Sequence, residues 1–221
     1  MISARTLFGD GATVLEDTDF QILLLASTIP ILATGLISPV LDSMIEPFGA
    51  TPSNIGLLIS FHSAPAIVMI PISGLLADRY SRKPVLVSSL LLFGVAGVAI
   101  AFTTDFQFAL AFRLLQGIGF GGISPIIITK IGDLYTGEDE AAAQGLRFAA
   151  SGVSGAIFPL ISGLLVGIAW QYPFLLYGMS IPIAGFVFLW LDDSSIATDS
   201  SESSNSGLRV YSRNLGLALQ S

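Results

Sequence analysis

The sequence predicts an all-α membrane protein of six transmembrane helices, arranged as two inverted three-helix repeats. Three observations lead there. Of the 221 residues, 52% are hydrophobic and only 11% are charged, where a soluble domain carries about a quarter charged residues. Six apolar stretches each reach the roughly 20 residues that a helix needs to cross a hydrocarbon core about 30 Å thick. Short motifs also recur at two similar offsets along the chain.

The six spans expected are Phe20 to Leu41, Ile55 to Ala77, Pro84 to Phe102, Phe106 to Ile131, Ala141 to Ile168 and Pro173 to Leu191. They make a bundle over residues 20–191. Residues 1–19 are polar, carry Asp10, Glu16, Asp17 and Asp19, and lack the basic start of a cleavable signal peptide. Residues 192–221 begin with a serine- and acid-rich stretch too poor in apolar side chains to bury a core, expected to be a linker. The final LRVYSRNLGLALQS has the composition of a short amphipathic helix at a membrane surface.

Charge placement orients the spans. The connections 42–54, 103–105 and 170–172 contain no Lys or Arg, and every basic residue except Arg113 falls on the opposite side. The positive-inside rule makes that side cytoplasmic and puts both termini there, in the cell membrane. Lysine occurs only at Lys83 and Lys130, and the net charge is −7. An acidic, lysine-poor surface suits high salt, which points to a halophilic prokaryote. It also argues against a nucleic-acid partner. With no cysteine and a single histidine, neither a metal centre nor a cofactor is expected.

The repeat is carried by Gly35-Leu-Ile-Ser-Pro39 in span one against Gly121-Gly-Ile-Ser-Pro125 in span four, and by Ile72-Ser-Gly-Leu-Leu76 in span two against Ile161-Ser-Gly-Leu-Leu165 in span five. Two three-helix units of opposite orientation follow, as in inverted-repeat transporters.

The most specific segment joins spans two and three: Gly74-Leu-Leu-Ala-Asp78-Arg79-Tyr-Ser-Arg82-Lys83. Asp78, at a helix end, is placed to accept hydrogen bonds from Arg79 or Arg82 and from the next helix's N-terminus. Gly74, one turn earlier, lets another helix approach. This segment resembles the loop signature G-x-L-x-D-R-x-G-R-R/K of the major facilitator superfamily, with Ser81 in place of the second glycine. In span four, Arg113-Leu-Leu-Gln116-Gly117-Ile-Gly119 is similar to that family's R-x-x-Q-G-x-G pattern. A guanidinium within the bilayer needs water, a carboxylate or carbonyls, so Arg113 should turn toward a central cavity, with Gln116 on the same face. Gly117 and Gly121 should let neighbouring helices pack closely. In span five, Pro159 and Gly163 match the drug–proton antiporter motif G-x-x-x-G-P-x-x-G-G, in which Ser154, Phe158 and Ser162 replace glycines; with Gly155 the segment reads equally as small-residue packing around a proline kink. His62, inside span two, is a candidate for the solute or proton pathway with Arg113 and Gln116.

The resemblance implies the N-terminal six-helix half of a secondary transporter that moves a small solute by alternating access, with a proton as coupling ion in the efflux branch. Gly74, Asp78, Arg79, Arg82 and Lys83 would form a cytoplasmic gate. Partners implied are membrane lipid, a small-molecule substrate, a coupling proton, and a second six-helix half or a homodimer. A non-transporting subunit or truncated fragment is the alternative. A third reading, a rhomboid-like intramembrane serine protease, rests on Gly152-Val-Ser154-Gly155 but lacks a histidine after Ser154; no enzymatic activity is expected.

The orientation is directly testable, because a chain without cysteine gives a clean labelling background. Single cysteines at Ser53 or Thr104 should react with an impermeant thiol reagent added outside intact cells, and one at Ser81 should not. Labelling at Ser81 from outside would reverse the assignment.

Overall fold

A computed structural model describes residues 14–192. They form six helical spans long and apolar enough to cross a membrane: α1 (Thr18–Met44), α2 (Pro52–Tyr80), α3 (Arg82–Phe102), α4 (Phe106–Leu134), α5 (Glu138–Val166) and α6 (Tyr172–Trp190). The expected linker and surface helix lie almost wholly outside the described residues, as does most of segment 1–19.

The helices start where the sequence supplies caps. Asp17 accepts the Asp19 amide at 2.9 Å, Thr51 accepts that of Asn54 at 3.3 Å, and Asp105 accepts that of Gln107 at 2.8 Å. Each satisfies an amide that has no partner within its own helix. α5 has no capping side chain, but Glu138, Asp139 and Glu140 fill its first turn, where the helix dipole favours negative charge. These polar ends lengthen several spans beyond their apolar stretches. α5 starts at Glu138, ahead of the expected Ala141, and α4 runs past Ile131 to Leu134. Apolar length measures the part in hydrocarbon, while capping fixes where the helix begins.

α4 is the hub, and its glycines are the reason. An added Cβ at Gly117 would lie 2.0 Å from the backbone oxygen of His62, and one at Gly121 would lie 2.6 Å from the Met69 Cβ; both contacts are with α2. On another side, a Cβ at Gly119 would lie 2.6 Å from the Phe93 nitrogen, and one at Gly122 would lie 2.1 Å from the Ser89 Oγ, both on α3. Two helices therefore lie against the α4 backbone itself. Within a bilayer, association depends on this dispersion contact, because lipid offers apolar side chains as good a solvent as another helix does.

The packing obeys the repeat. α4 packs chiefly on α2 and α3, while α1 packs on α5 and α6. The recurring serines make matching bonds. Ser73 Oγ on α2 donates to the Gly121 carbonyl of α4 at 3.3 Å, and Ser162 Oγ on α5 donates to the Leu36 carbonyl of α1 at 2.8 Å. Leu36 is the break between the two helical pieces of α1, so Ser162 supports a backbone group where the ladder is interrupted. Each ISGLL segment thus grips the glycine–serine–proline segment of the opposite repeat.

Exposure divides the helices sharply. In the most apolar window of each span, 61% of α1 and 50% of α4 are buried, against 22% of α2 and 11% of α5. Gly74, Gly152 and Gly163 face open space. Gly155 touches only Ile31, its added Cβ lying 3.8 Å from the Ile31 Cγ2.

Gly117→Ala should consequently destabilise the bundle by about 1–3 kcal/mol, as overpacking does when backbone must shift. Gly163→Ala should leave stability unchanged or slightly raised. Thermal unfolding in detergent measures both, and equal melting shifts would remove the hub role from the α4 glycines.

Candidate functional site

The turn from α2 to α3 is tight enough to hold Ser81 at φ 78°, ψ 162°, a region that glycine occupies far more readily. Glycine is what the family signature has there. The turn delivers Arg82 to α4, where it forms an ion pair with Asp133 and donates from Nη1 to the Thr129 carbonyl at 2.9 Å. The sequence offers Arg79 or Arg82 as donors to Asp78. Instead, Asp78 stays exposed at the end of α2, because α3 starts immediately after the turn and aims Arg82 across at α4. Arg79 lies over its neighbour Tyr80, 5.5 Å from the ring centroid, and Lys83 lies 5.9 Å from the ring centroid of Phe188 on α6. Asp133 escaped notice, although a signal existed: it is the only acidic residue within α4, and it lies on the side of this loop.

Arg113 is deeply enclosed, at 1% exposure. Its Nη1 donates to Gln116 Oε1 at 2.8 Å and lies 3.5 Å from the Tyr177 hydroxyl. The guanidinium sits 5.7 Å from the ring centroids of both Phe174 and Tyr177 on α6. Gly97 of α3 makes the space, since a Cβ there would stand 2.6 Å from Gln116 Nε2 and from the Tyr177 Cβ. Gln116 thus shares a face with Arg113, and the guanidinium turns into the bundle toward α6. Two aromatic faces and a glutamine oxygen give the cation an environment that hydrocarbon does not. Phe174 and Tyr177, also missed, are the aromatic residues at the start of span six.

His62 is buried on α2, with its ring 5.0 Å from that of Phe120 and roughly edge-on to it. Because Gly117 brings α2 onto α4, His62 and Arg113 occupy the same interior. Among the described residues, Arg113 Nε and Nη2, Gln116 Nε2 and His62 Nε2 are buried without a hydrogen-bond partner. All but the imidazole nitrogen are obligatory donors, a set suited to an incoming oxygen or anionic acceptor.

At the end of the bundle that carries the α2–α3 turn, polar residues tie α1, α4 and α6 together. Tyr135 donates to Asp17 Oδ2 at 2.5 Å, Lys130 Nζ donates to the Asp192 carbonyl at 2.7 Å, and the Asp192 amide donates to Asp19 Oδ1 at 3.4 Å. Burial raises the Tyr135 pKa, and its hydrogen bond to Asp17 raises it further.

The α5 residues separate. Pro159 packs on α1, its Cδ lying 3.4 Å from an added Cβ at Gly35, whereas a Cβ added at Gly163 would meet no described atom within 4 Å and one at Gly155 only Ile31. Ser154 Oγ donates to the Ala150 carbonyl of its own helix at 2.8 Å, and the imidazole of His62 packs on α4. This arrangement does not favour the nucleophile reading.

Six membrane-spanning helices in two interlocked triplets, with the charged α2–α3 turn clamped to α4, define one bundle of a membrane carrier fold. The chain belongs to the Major Facilitator Superfamily, whose family model matches residues 23–218. It is 36% identical over 158 residues to the bacillibactin exporter of Bacillus subtilis, covering 67% of this chain and 39% of that protein. It is 28% identical over 162 residues to the class H tetracycline resistance protein of Pasteurella multocida, covering 72% and 40%. A solved bacterial homologue of the human lysosomal transporter Spinster, inward-facing and unoccupied, shares the fold with a TM-score of 0.66 at 21% identity, covering 79% of this chain and 43% of that one. The chain spans about two-fifths or less of the length of these curated relatives.

Tyr135 yields a pH prediction. Its folded pKa lies above the unfolded value of 10.0, so its contribution is complete below pH 10 and is lost as the pH rises further, where the unfolded chain sheds the proton first. Melting temperature followed from about pH 8 to about pH 11 should fall more steeply for the wild type than for Tyr135→Phe. Parallel curves would contradict the assignment.

Proposed function

We propose that the chain is one half of a secondary transporter that exports a small, largely apolar solute by alternating access, with a proton as the coupling ion. The observation that carries this reading is the asymmetry of exposure. α1 and α4 are sealed into a folded body, while α2 and α5 present open, glycine-lined faces suited to a second bundle. Alternating access requires two bodies that move against each other around a solute. The exporter and resistance proteins among the relatives support the efflux direction.

In this reading both termini are cytoplasmic, the membrane is that of a prokaryotic cell, and the acidic, lysine-poor composition fits a high-salt habitat. The α2–α3 loop acts as a gate. The Arg82–Asp133 pair fixes α3 to α4, and exposed Asp78 meets the second body in one state only, so its charge biases the balance between states. Arg113, Gln116 and His62 form the solute and proton pathway. They are enclosed in the state described, so they take part when α4 and α6 separate and the unpaired donors meet an acceptor group on the solute. The second body is a separately encoded half or a second copy of this chain.

The test is flux of a lipophilic dye into liposomes under an imposed proton gradient. Liposomes holding this chain together with a complementary six-helix half should transport, and a crosslink-verified monomer should not. Asp78→Asn should reduce flux far more than it reduces the amount of protein in the membrane. Saturable flux by the monomer, or loss of the mutant in proportion to its flux, would contradict the two-body account and the gate respectively.

A further inference from the structure

We propose that the cleft between α2, α3 and α4 is a phospholipid site, holding one acyl chain within the bundle and an anionic headgroup at Arg79. The cleft has a volume of about 450 Å³. Its origin is the packing around α4. α2 and α3 are each drawn onto the α4 backbone by different glycines, so they meet α4 far more than they meet each other. The space left between them runs between α2 and α3, with Ile118 and Gly119 of α4 at its base, and opens outward.

Its lining specifies the occupant. Met69 and Leu76 of α2 and Ile118 of α4 make apolar walls, and Gly119 leaves the floor free of a side chain. Two of its hydroxyls, those of Ser73 and Ser88, are already engaged by backbone carbonyls. Ser73 donates to the Ile70 carbonyl at 2.8 Å as well as to Gly121, and Ser88 donates to the Val85 carbonyl at 3.0 Å. A flexible hydrocarbon chain fits such a surface without stranding a polar group. A sugar or a charged metabolite does not.

The mouth supplies the charge. Tyr80, which lines the cleft at the α2–α3 turn and is 61% exposed, carries the Arg79 guanidinium above its ring. Arg82 is committed to Asp133, whereas Arg79 and Lys83 are in no ion pair among the described residues. An anionic lipid of the same leaflet would meet Arg79 with its phosphate as its chain entered the cleft. Such a lipid would brace α2, one of the two least buried spans, against α3.

Native mass spectrometry of the full chain, extracted from vesicles of phosphatidylglycerol and phosphatidylcholine in equal parts, tests this. It reads binding alone, so it stands whatever the transport assay gives. The wild type should retain one phosphatidylglycerol in preference to phosphatidylcholine. Ser88→Trp, which fills the cleft from its rim, should lose it, while Leu164→Trp, which adds the same bulk on exposed α5, should keep it. Arg79→Gln should lower retention about fivefold, the effect of about 1 kcal/mol per basic residue near an anionic surface. Should Ser88→Trp not fold, judged by size exclusion, Leu76→Trp fills the cleft from α2 and carries the same expectation. Equal retention by a folded cleft-filling variant and Leu164→Trp, or no preference between the two lipids in the wild type, would overturn the proposal.

Discussion

Gly117, Gly119, Gly121 and Gly122 leave α4 without side chains on two sides, so α2 and α3 rest against its backbone. Much else follows from that close approach. It brings His62 into the interior with Arg113, seats Ser73 within reach of the Gly121 carbonyl, and carries the α2–α3 turn to the end of α4, where Asp133 receives Arg82. It also keeps α2 and α3 from closing on each other, which leaves the cleft between them. One run of small residues thereby sets the position of the buried cation, the charged turn and the apolar cleft.

The contact of α1 with α5 repeats the arrangement in gentler form. A Cβ added at Gly35 would meet Pro159 and Phe158 of α5 at ordinary distances of 3.4 and 3.5 Å, and the Ser162 bond to Leu36 is the counterpart of the Ser73 bond to Gly121. Interhelical hydrogen bonds in a bilayer average about 0.6 kcal/mol, so neither serine holds the fold alone. Their value lies in register, because each fixes the height of one helix on its neighbour at equivalent positions of the two repeats. The polar ties among Asp17, Tyr135, Lys130, Asp192 and Asp19 then lock α1, α4 and α6 at one end, which leaves α2 and α5 as the outlying helices.

Much of this was legible in the sequence, for identifiable reasons. The spans follow from apolar length, which the bilayer imposes directly, and the repeat follows from motifs that the structure places in contact across the triplets. The family loop was readable because its residues are contiguous. What could not be read was rotation about the helix axes. The cost of a guanidinium in hydrocarbon argues against a lipid-facing Arg113, but several inward directions satisfy it, and the choice of α6 depends on Gly97 leaving space beside Tyr177. Likewise the partner of Arg82 was missed because Asp133 is distant in sequence, and only the meeting of α3 with α4 brings the two together. Gly117 and Gly163 look alike as letters, yet one lies beneath a helix and the other faces open space.

In the proposed transporter, the open faces of α2 and α5 are the surface on which a second bundle would move. Spin labels at Val153, Ile157, Leu160 and Leu164, all exposed on α5, can report collision with lipid-dissolved oxygen in reconstituted vesicles. The measurement is made on the chain alone and again with a complementary six-helix half. The account predicts high lipid accessibility at these positions in the lone chain and protection at some of them when the second body is present, varying between states of the transporter. Unchanged accessibility at every position, in a sample where both bodies are shown to be present, would contradict it.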